Sequence, residues 1–157
     1  MRYIVSACLA GVACRHDGRH SRDEEVVRLV REGRALPSCP EQLGGLSTPR
    51  PPAELRMGDG GAVLRGEASV VDHAGRNVTD LYMRGAIEFY RLARTCGARS
   101  AILKDRSPSC GLRRVYIDGR IRSGRGVAAA LLEGEGLQLL LPSALRRKQP
   151  GEGTAGR

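Results

Sequence analysis

Short apolar runs that read as strands alternate along this chain with stretches whose apolar residues recur at helical spacing, and three of those strands run towards cysteines. Arg2–Ala7 carries the uncharged run Tyr3-Ile4-Val5 and leads to Cys8; Ala35–Ser38 runs straight into Cys39; Ser100–Leu103 delivers a loop that ends on Cys110. Between the first two lies a helix that starts at Ser21, where Glu24 completes a capping box, carries Val26, Val27, Leu29 and Val30 on one face and stops at Gly33. Thr79 opens the longest helix, to about Cys96, with Leu81, Met83, Ala86, Ile87, Tyr90 and Ala93 as its stripe, Cys96 as a core thiol and Gly97 as its stop. Gly126–Glu133 is a further helix and Leu137–Leu141 a last strand. This alternation predicts an α/β class protein: a Rossmann-like three-layer fold with a mostly parallel sheet. Right-handed crossovers bring the carboxyl ends of such strands to one rim, where ligands bind, and Cys8, Cys39 and Cys110 all fall there.

Two pairs of shorter runs read as small hairpin insertions: Ala62–Leu64 with Glu67–Val71 around Arg65-Gly66, and Val115–Ile117 with Arg120–Ile121 around Asp118-Gly119. The stretch from Cys39 to Glu54 is too long for a plain connection. Its prolines and Gly44-Gly45 argue against a helix, while Leu43 and Leu46 argue that it packs. At 157 residues with 41% hydrophobic content, the chain holds one domain, expected over residues 1–142, and the polar, glycine-rich residues 143–157 read as a disordered tail.

A net charge of +9 favours an anionic partner such as a nucleotide or RNA, although all the basic residues except Lys104 and Lys148 are arginine, a bias that base composition alone produces. One Phe, four Tyr and no Trp argue against recognition by aromatic stacking platforms. Five cysteines, an odd number in a chain large enough to fold without cross-links, fit a reducing cytoplasm better than a disulfide framework. Val5-Ser6-Ala7-Cys8 looks like a lipoprotein cleavage box, but the apolar run before it is too short for an export signal, and no segment is long enough to span a membrane.

Three thiolates meeting at one rim fit zinc, an iron-sulfur cluster or thiol redox chemistry. No Cys-x-x-Cys is present, which weakens the zinc-ribbon and thioredoxin-like readings, and His16 or His20 is a candidate fourth zinc ligand.

Four segments taken together carry a family resemblance: Val-Ser-Ala-Cys-Leu-Ala-Gly-Val-Ala-Cys-Arg-His-Asp-Gly (5–18), Cys-Pro-Glu-Gln-Leu-Gly-Gly-Leu-Ser-Thr-Pro-Arg-Pro-Pro-Ala-Glu (39–54), Ala-Ile-Leu-Lys (101–104) and Ser-Pro-Ser-Cys-Gly (107–111). In this order they resemble a small bacterial family, long catalogued as a domain of unknown function, that contains the thiouracil desulfidases. The resemblance covers about residues 2–141. It implies a cytoplasmic enzyme that removes sulfur from thiolated uracil without net redox change, using a 4Fe-4S cluster with three cysteine ligands and one open iron.

Carried over motif by motif, it implies Cys8, Cys39 and Cys110 as the ligands, Cys14 as a free thiol beside the cluster, and Glu41 as the base for an attacking water. Ser107 and Ser109 are candidates for positioning that base or relaying a proton, or equally are ordinary turn formers beside Pro108; Lys104 is a candidate for contacting a uracil oxygen or a phosphate, or equally for pairing with Asp17 or Asp105. Gly44 and Gly45 are expected in the substrate pocket wall, Arg50 is expected to meet a phosphate or Glu54, and Asp17 is a weaker substrate-binding candidate. The partner implied is a thiolated pyrimidine, a thiouridine nucleotide or tRNA, with no membrane. Two other functions fit the residues: a zinc-stabilised RNA- or nucleotide-binding module, and a thiol redox or sulfur-carrier protein using Cys14 or Cys110.

Overall fold

A computed structural model describes residues 1–147. Four strands, β1 (Tyr3–Ser6), β2 (Ala35–Ser38), β5 (Ser100–Ile102) and β8 (Gln138–Leu140), form a fully parallel sheet in the order β2-β1-β5-β8. Its strands are short and nearly uniformly apolar because both faces are covered. Ile4, Ala101 and Leu103 pack with helices α4 (Thr79–Thr95) and α5 (Val127–Gly134); Tyr3, Val5 and Ile102 pack with α1 (Glu24–Arg31) on the other face. The predicted three-layer α/β arrangement is therefore present.

The small hairpins, by contrast, are not separate insertions. β3 (Ala53–Arg56), β4 (Ser69–Asp72), β6 (Arg114–Ile117) and β7 (Arg120–Ser123) form a second sheet in the order β4-β3-β6-β7. A parallel contact between β3 and β6, with Leu55 beside Ile117, joins its two antiparallel pairs. Leu55, Val70, Val115 and Ile117 turn inward and complete the core under α4 and α5. The β6–β7 hairpin forms around Asp118-Gly119 as expected, but Ala62–Leu64 is not a strand. It belongs to a short helix, α3 (Gly60–Leu64), because Asp59 accepts the Ala62 N–H at 3.2 Å and caps it, and β4 pairs with β3 instead.

Three smaller differences have equally local causes. Asp23, not Ser21, caps α1, its carboxylate accepting the N–H groups of Glu25 and Val26. The Cys39–Glu54 stretch does contain a helical turn, α2 (Pro40–Leu43), with Pro40 in the first turn where a missing N–H costs nothing. Ser143–Arg146 forms a short helix, α6, tied to α1 by Arg146 and Asp23 at 3.0 Å. The expected disorder of the tail beyond residue 147 lies outside the described residues. Among those residues, no helix is long and apolar enough to cross a membrane.

The buried face of α4 is Tyr82, Gly85, Ala86, Phe89 and Ala93, rotated from the expected stripe, and Ile87 is 40% exposed. Gly85 explains the rotation. It faces Gly44 at the end of α2, and a Cβ on Gly85 would stand 1.9 Å from the Pro40 carbonyl oxygen, one on Gly44 2.1 Å from that of Leu81. Two backbones touch there without side chains between them. Gly85→Ala is expected to push α2 outward and to destabilise the chain by about 3 kcal/mol, measured as a lower urea midpoint at unchanged m-value.

Candidate active site

The carboxyl end of the parallel sheet opens into a cavity of about 630 Å³ facing the outer side of the second sheet. That volume is within the range of small-molecule sites. Four of the five cysteines line it: Cys8, Cys14, Cys39 and Cys110, all as free thiols. Each is delivered by a different local device. After β1 the chain tightens into a 3-10 turn, Ala7–Ala10, that carries Cys8, whose carbonyl accepts the Ser21 N–H at 2.9 Å and closes the loop bearing Cys14. Cys39 is the residue before α2, held against α4 by the Gly44–Gly85 contact. Cys110 sits in a turn whose carbonyls at Pro108, Ser109 and Gly111 accept the N–H groups of Val127, Ala129 and Gly126 at the start of α5.

The thiols interact. Cys14 lies between Cys39 and Cys8; its bond with Cys39 favours the thiolate, but the bond with Cys8 and burial outweigh it and push Cys14 up to about 11. The contact with Cys14 and then burial push the Cys39 thiol up, and burial does the same to Cys110, whose thiol meets the Ser6 hydroxyl. Burial and the neighbouring thiols thus favour the protonated form at Cys14, Cys39 and Cys110. The donor set suits a soft metal centre, and metal binding would ionise it. Among the described residues, no three His, Cys, Asp or Glu side chains group closely enough to hold a single metal ion. Ligands of a cubane each take a different iron and stand further apart than those of a mononuclear zinc. His16 lines the cavity, whereas His20 is turned to its own loop and accepts the Arg22 N–H.

Glu41 projects into the cavity from the first turn of α2. Its Oε1 accepts from the Tyr82 hydroxyl and from Arg50 Nε at 3.4 Å, leaving Oε2 without a protein partner among the described residues. Tyr82 is 3% exposed, and its proton is firmly held: burial, then the neighbouring Glu41 carboxylate, raises its pKa. Arg50 pairs with Glu41 rather than with Glu54, which binds Arg56 and the Gly119 N–H. Its Nη2 donates to the Cys14 carbonyl at 2.9 Å and its Nη1 to the Ser47 carbonyl and the Thr48 hydroxyl. Burial works against this charge, and Glu41 maintains it. With four of its five N–H groups committed, Arg50 ties Glu41 to the Cys14 loop and has little left for a substrate phosphate.

Lys104 reaches the cavity from the end of β5; its N–H binds Ser6 Oγ, and its Nζ lies 3.4 Å from the Asp105 carbonyl, in no ion pair among the described residues. Ser107 lines the cavity too, but its hydroxyl accepts the N–H groups of Ser109 and Cys110 at 3.1 Å and so shapes the turn that presents the thiol. Ser109 is buried behind that turn, against Gly126, and its hydroxyl has no partner among the described residues; it does not line the cavity. Gly44 and Gly45 are likewise not in the wall, because Gly44 packs on α4 and Gly45 turns the chain with φ +95°. Of the Cys39–Glu54 prolines, Pro52 and Pro40, the latter beside Cys39, line the cavity. Asp17 also lies outside, paired with Arg15 at 3.1 Å and with the Arg19 N–H.

Sequence reasoning missed Ser6, Tyr82, His73, Arg106 and Tyr116, which reach the cavity or its base. Ser6 was readable as the strand's last residue before Cys8. Tyr82 was not, because its hydroxyl partner comes from a segment 41 residues away.

Asp105 fixes the third thiol loop. Its Oδ1 accepts N–H groups from Leu112, Arg113 and Arg114 at 3.0–3.1 Å. Partial burial opposes ionisation, but backbone donors prevail and hold the carboxyl below the ordinary range. Because the folded pKa is depressed, this stabilisation is complete above the unfolded value near 4 and lost as pH falls towards the folded one. Asp105→Ala is expected to cost about 2 kcal/mol at pH 7 and to flatten the fall in stability below about pH 4, read from urea midpoints across that range.

A family model described as 2-thiouracil desulfurase matches residues 3–143. A Bacillus subtilis (strain 168) protein, the uncharacterized YbbK, is 43% identical over 145 residues, covering 90% of this chain and 96% of its own. A solved structure described as the [4Fe-4S]-dependent thiouracil desulfidase TudS superposes with a TM-score of 0.80 at 40% identity, over 93% of each chain. With its four cavity thiols on three loops of this fold, the chain belongs to the 2-thiouracil desulfurase family.

Proposed function

We propose that this enzyme is an iron-sulfur desulfidase that hydrolyses the thiocarbonyl of a thiolated uracil, presented as free base, thiouridine nucleotide or RNA, and releases hydrosulfide. The observation that carries the reading is the meeting of Cys8, Cys39 and Cys110 with the carboxylate of Glu41 in one cavity. In this reading the three cysteines hold a 4Fe-4S cluster with one open iron, and Cys14 stays a free thiol beside it. Such a cluster supplies a soft Lewis acid for a sulfur atom.

The chain's own groups do the rest. Tyr82 and Arg50 hold Glu41 from one side, so its second oxygen faces the cavity and takes a proton from a water. That water's oxygen bonds to the thiocarbonyl carbon as the carbon–sulfur bond breaks. One C=S and one water become one C=O and one hydrosulfide with its proton, with no electrons exchanged. Lys104 and Ser107 bind the pyrimidine's remaining oxygen, and Ala7, Pro52, Ala53 and Pro108 give the walls that exclude bulk water. We place the reaction in the cytoplasm, where free thiols and the cluster persist.

Anaerobically purified protein should be brown with about four irons per chain. It should bleach 4-thiouracil while releasing an equal amount of sulfide. Protein that stays inactive after anaerobic cluster reconstitution refutes the reading, and stoichiometric zinc with oxygen-stable RNA binding favours the zinc-stabilised module instead.

A further inference from the structure

We infer that a basic groove on the β6–β7 hairpin docks the phosphate backbone of a single-stranded RNA beside the cavity. The groove, about 530 Å³, is lined by Arg113, Arg114, Ile121, Arg122, Ser123 and Arg125. Arg113, Arg114 and Arg122 are exposed and, among the described residues, in no ion pair; only Arg125 is neutralised, by Glu133 at 2.8 Å. Arg114 shares the face of Tyr116 whereas Arg122, opposite Val115, leaves from the other side of the ribbon, yet both reach the groove. Unpaired guanidinium groups gathered round one groove repel one another and are suited to phosphate oxygens, which they bind two N–H groups at a time.

The groove adjoins the cavity across one cross-strand pair. Tyr116 lines the cavity, Ile121 lines the groove, and the two stand directly opposite each other on β6 and β7, each 42% exposed. Aromatics are scarce in this chain, but one Tyr at this junction suffices to stack one base. Arginines gathered at a groove, with the exposed Tyr116 between it and the cavity, fit a strand that lays its backbone on the arginines and its next nucleotide at the cavity mouth. The last placement rests on the cavity's proposed function; the docking of the strand does not.

The test is fluorescence anisotropy of the holoenzyme with a labelled, unthiolated ten-residue oligouridine. Binding should weaken steeply with salt. Arg114→Ser with Arg122→Ser should lower affinity at least about 10-fold and reduce the log–log salt slope by about 1.4, the loss of two single-strand phosphate contacts. Arg94→Ser with Arg99→Ser, removing equal charge elsewhere, should change affinity less than about twofold, and both doubles should turn over free thiouracil at the wild-type rate. No binding by the wild type, or equal weakening in both doubles, overturns the inference. Sulfide release without RNA binding defeats this inference alone; RNA binding without sulfide release defeats the proposed function alone.

Discussion

Serine at position 8, 39 or 110 is expected to leave a colourless or iron-poor protein, with desulfidation of thiouracil down at least about 10³-fold, while serine at position 14 leaves the brown colour and about four irons in place. The four thiols share one cavity, so lining alone does not separate ligands from bystander. Their supports do. Cys8 is locked in a 3-10 turn, Cys39 by the Gly44–Gly85 backbone contact and Cys110 by a turn bonded to α5. Cys14 sits between two of them, with its carbonyl serving Arg50. Serine keeps the size and changes the donor from soft to hard, so a lost cluster reports donor chemistry rather than packing. Iron analysis and low-temperature electron paramagnetic resonance of anaerobic samples decide it. Loss of iron in Cys14→Ser with retention in one of the other three would redraw the ligand set, and unchanged iron in all four would remove the cluster from this cavity.

The framework of this site was legible because it depends on short-range rules. Tyr3-Ile4-Val5, Ala35–Ser38 and Ser100–Leu103 read as buried parallel strands, and parallel strands bring their carboxyl ends to one rim. That alone led to Cys8, Cys39 and Cys110. What stayed hidden depends on contacts between distant segments. Gly44 was expected in the pocket wall and is a packing contact whose reason is Gly85. Arg50, stiffly placed between prolines, looked free for an anion, yet its acceptors are Glu41 and three groups from the Cys14 and Ser47–Thr48 segments. Ala62–Leu64 read as a strand, although the Asp59 carboxylate caps a helix there. The second sheet was missed for the same reason, since the β3–β6 contact that unites it spans more than sixty residues through one pair, Leu55 and Ile117.

Glu41→Gln should retain the fold, the colour and the iron and lose about 10²- to 10⁴-fold in kcat with little change in KM. Glutamine is nearly isosteric, and its amide oxygen still accepts from Tyr82 and Arg50, so the anchoring of the Cys14 loop survives. What it cannot do is take a proton from water through the atom facing the cavity. Glu41→Asp keeps the base but withdraws it by one methylene, and part of the activity should return. This pair of variants separates two roles that one Glu41→Ala change would merge, because alanine also strands the buried Arg50, which is 8% exposed, without its only carboxylate partner among the described residues. Loss of kcat in Glu41→Gln with full iron assigns the proton transfer to Glu41. Wild-type kcat in that variant would move the base elsewhere in the cavity and leave Glu41 as the anchor of Arg50.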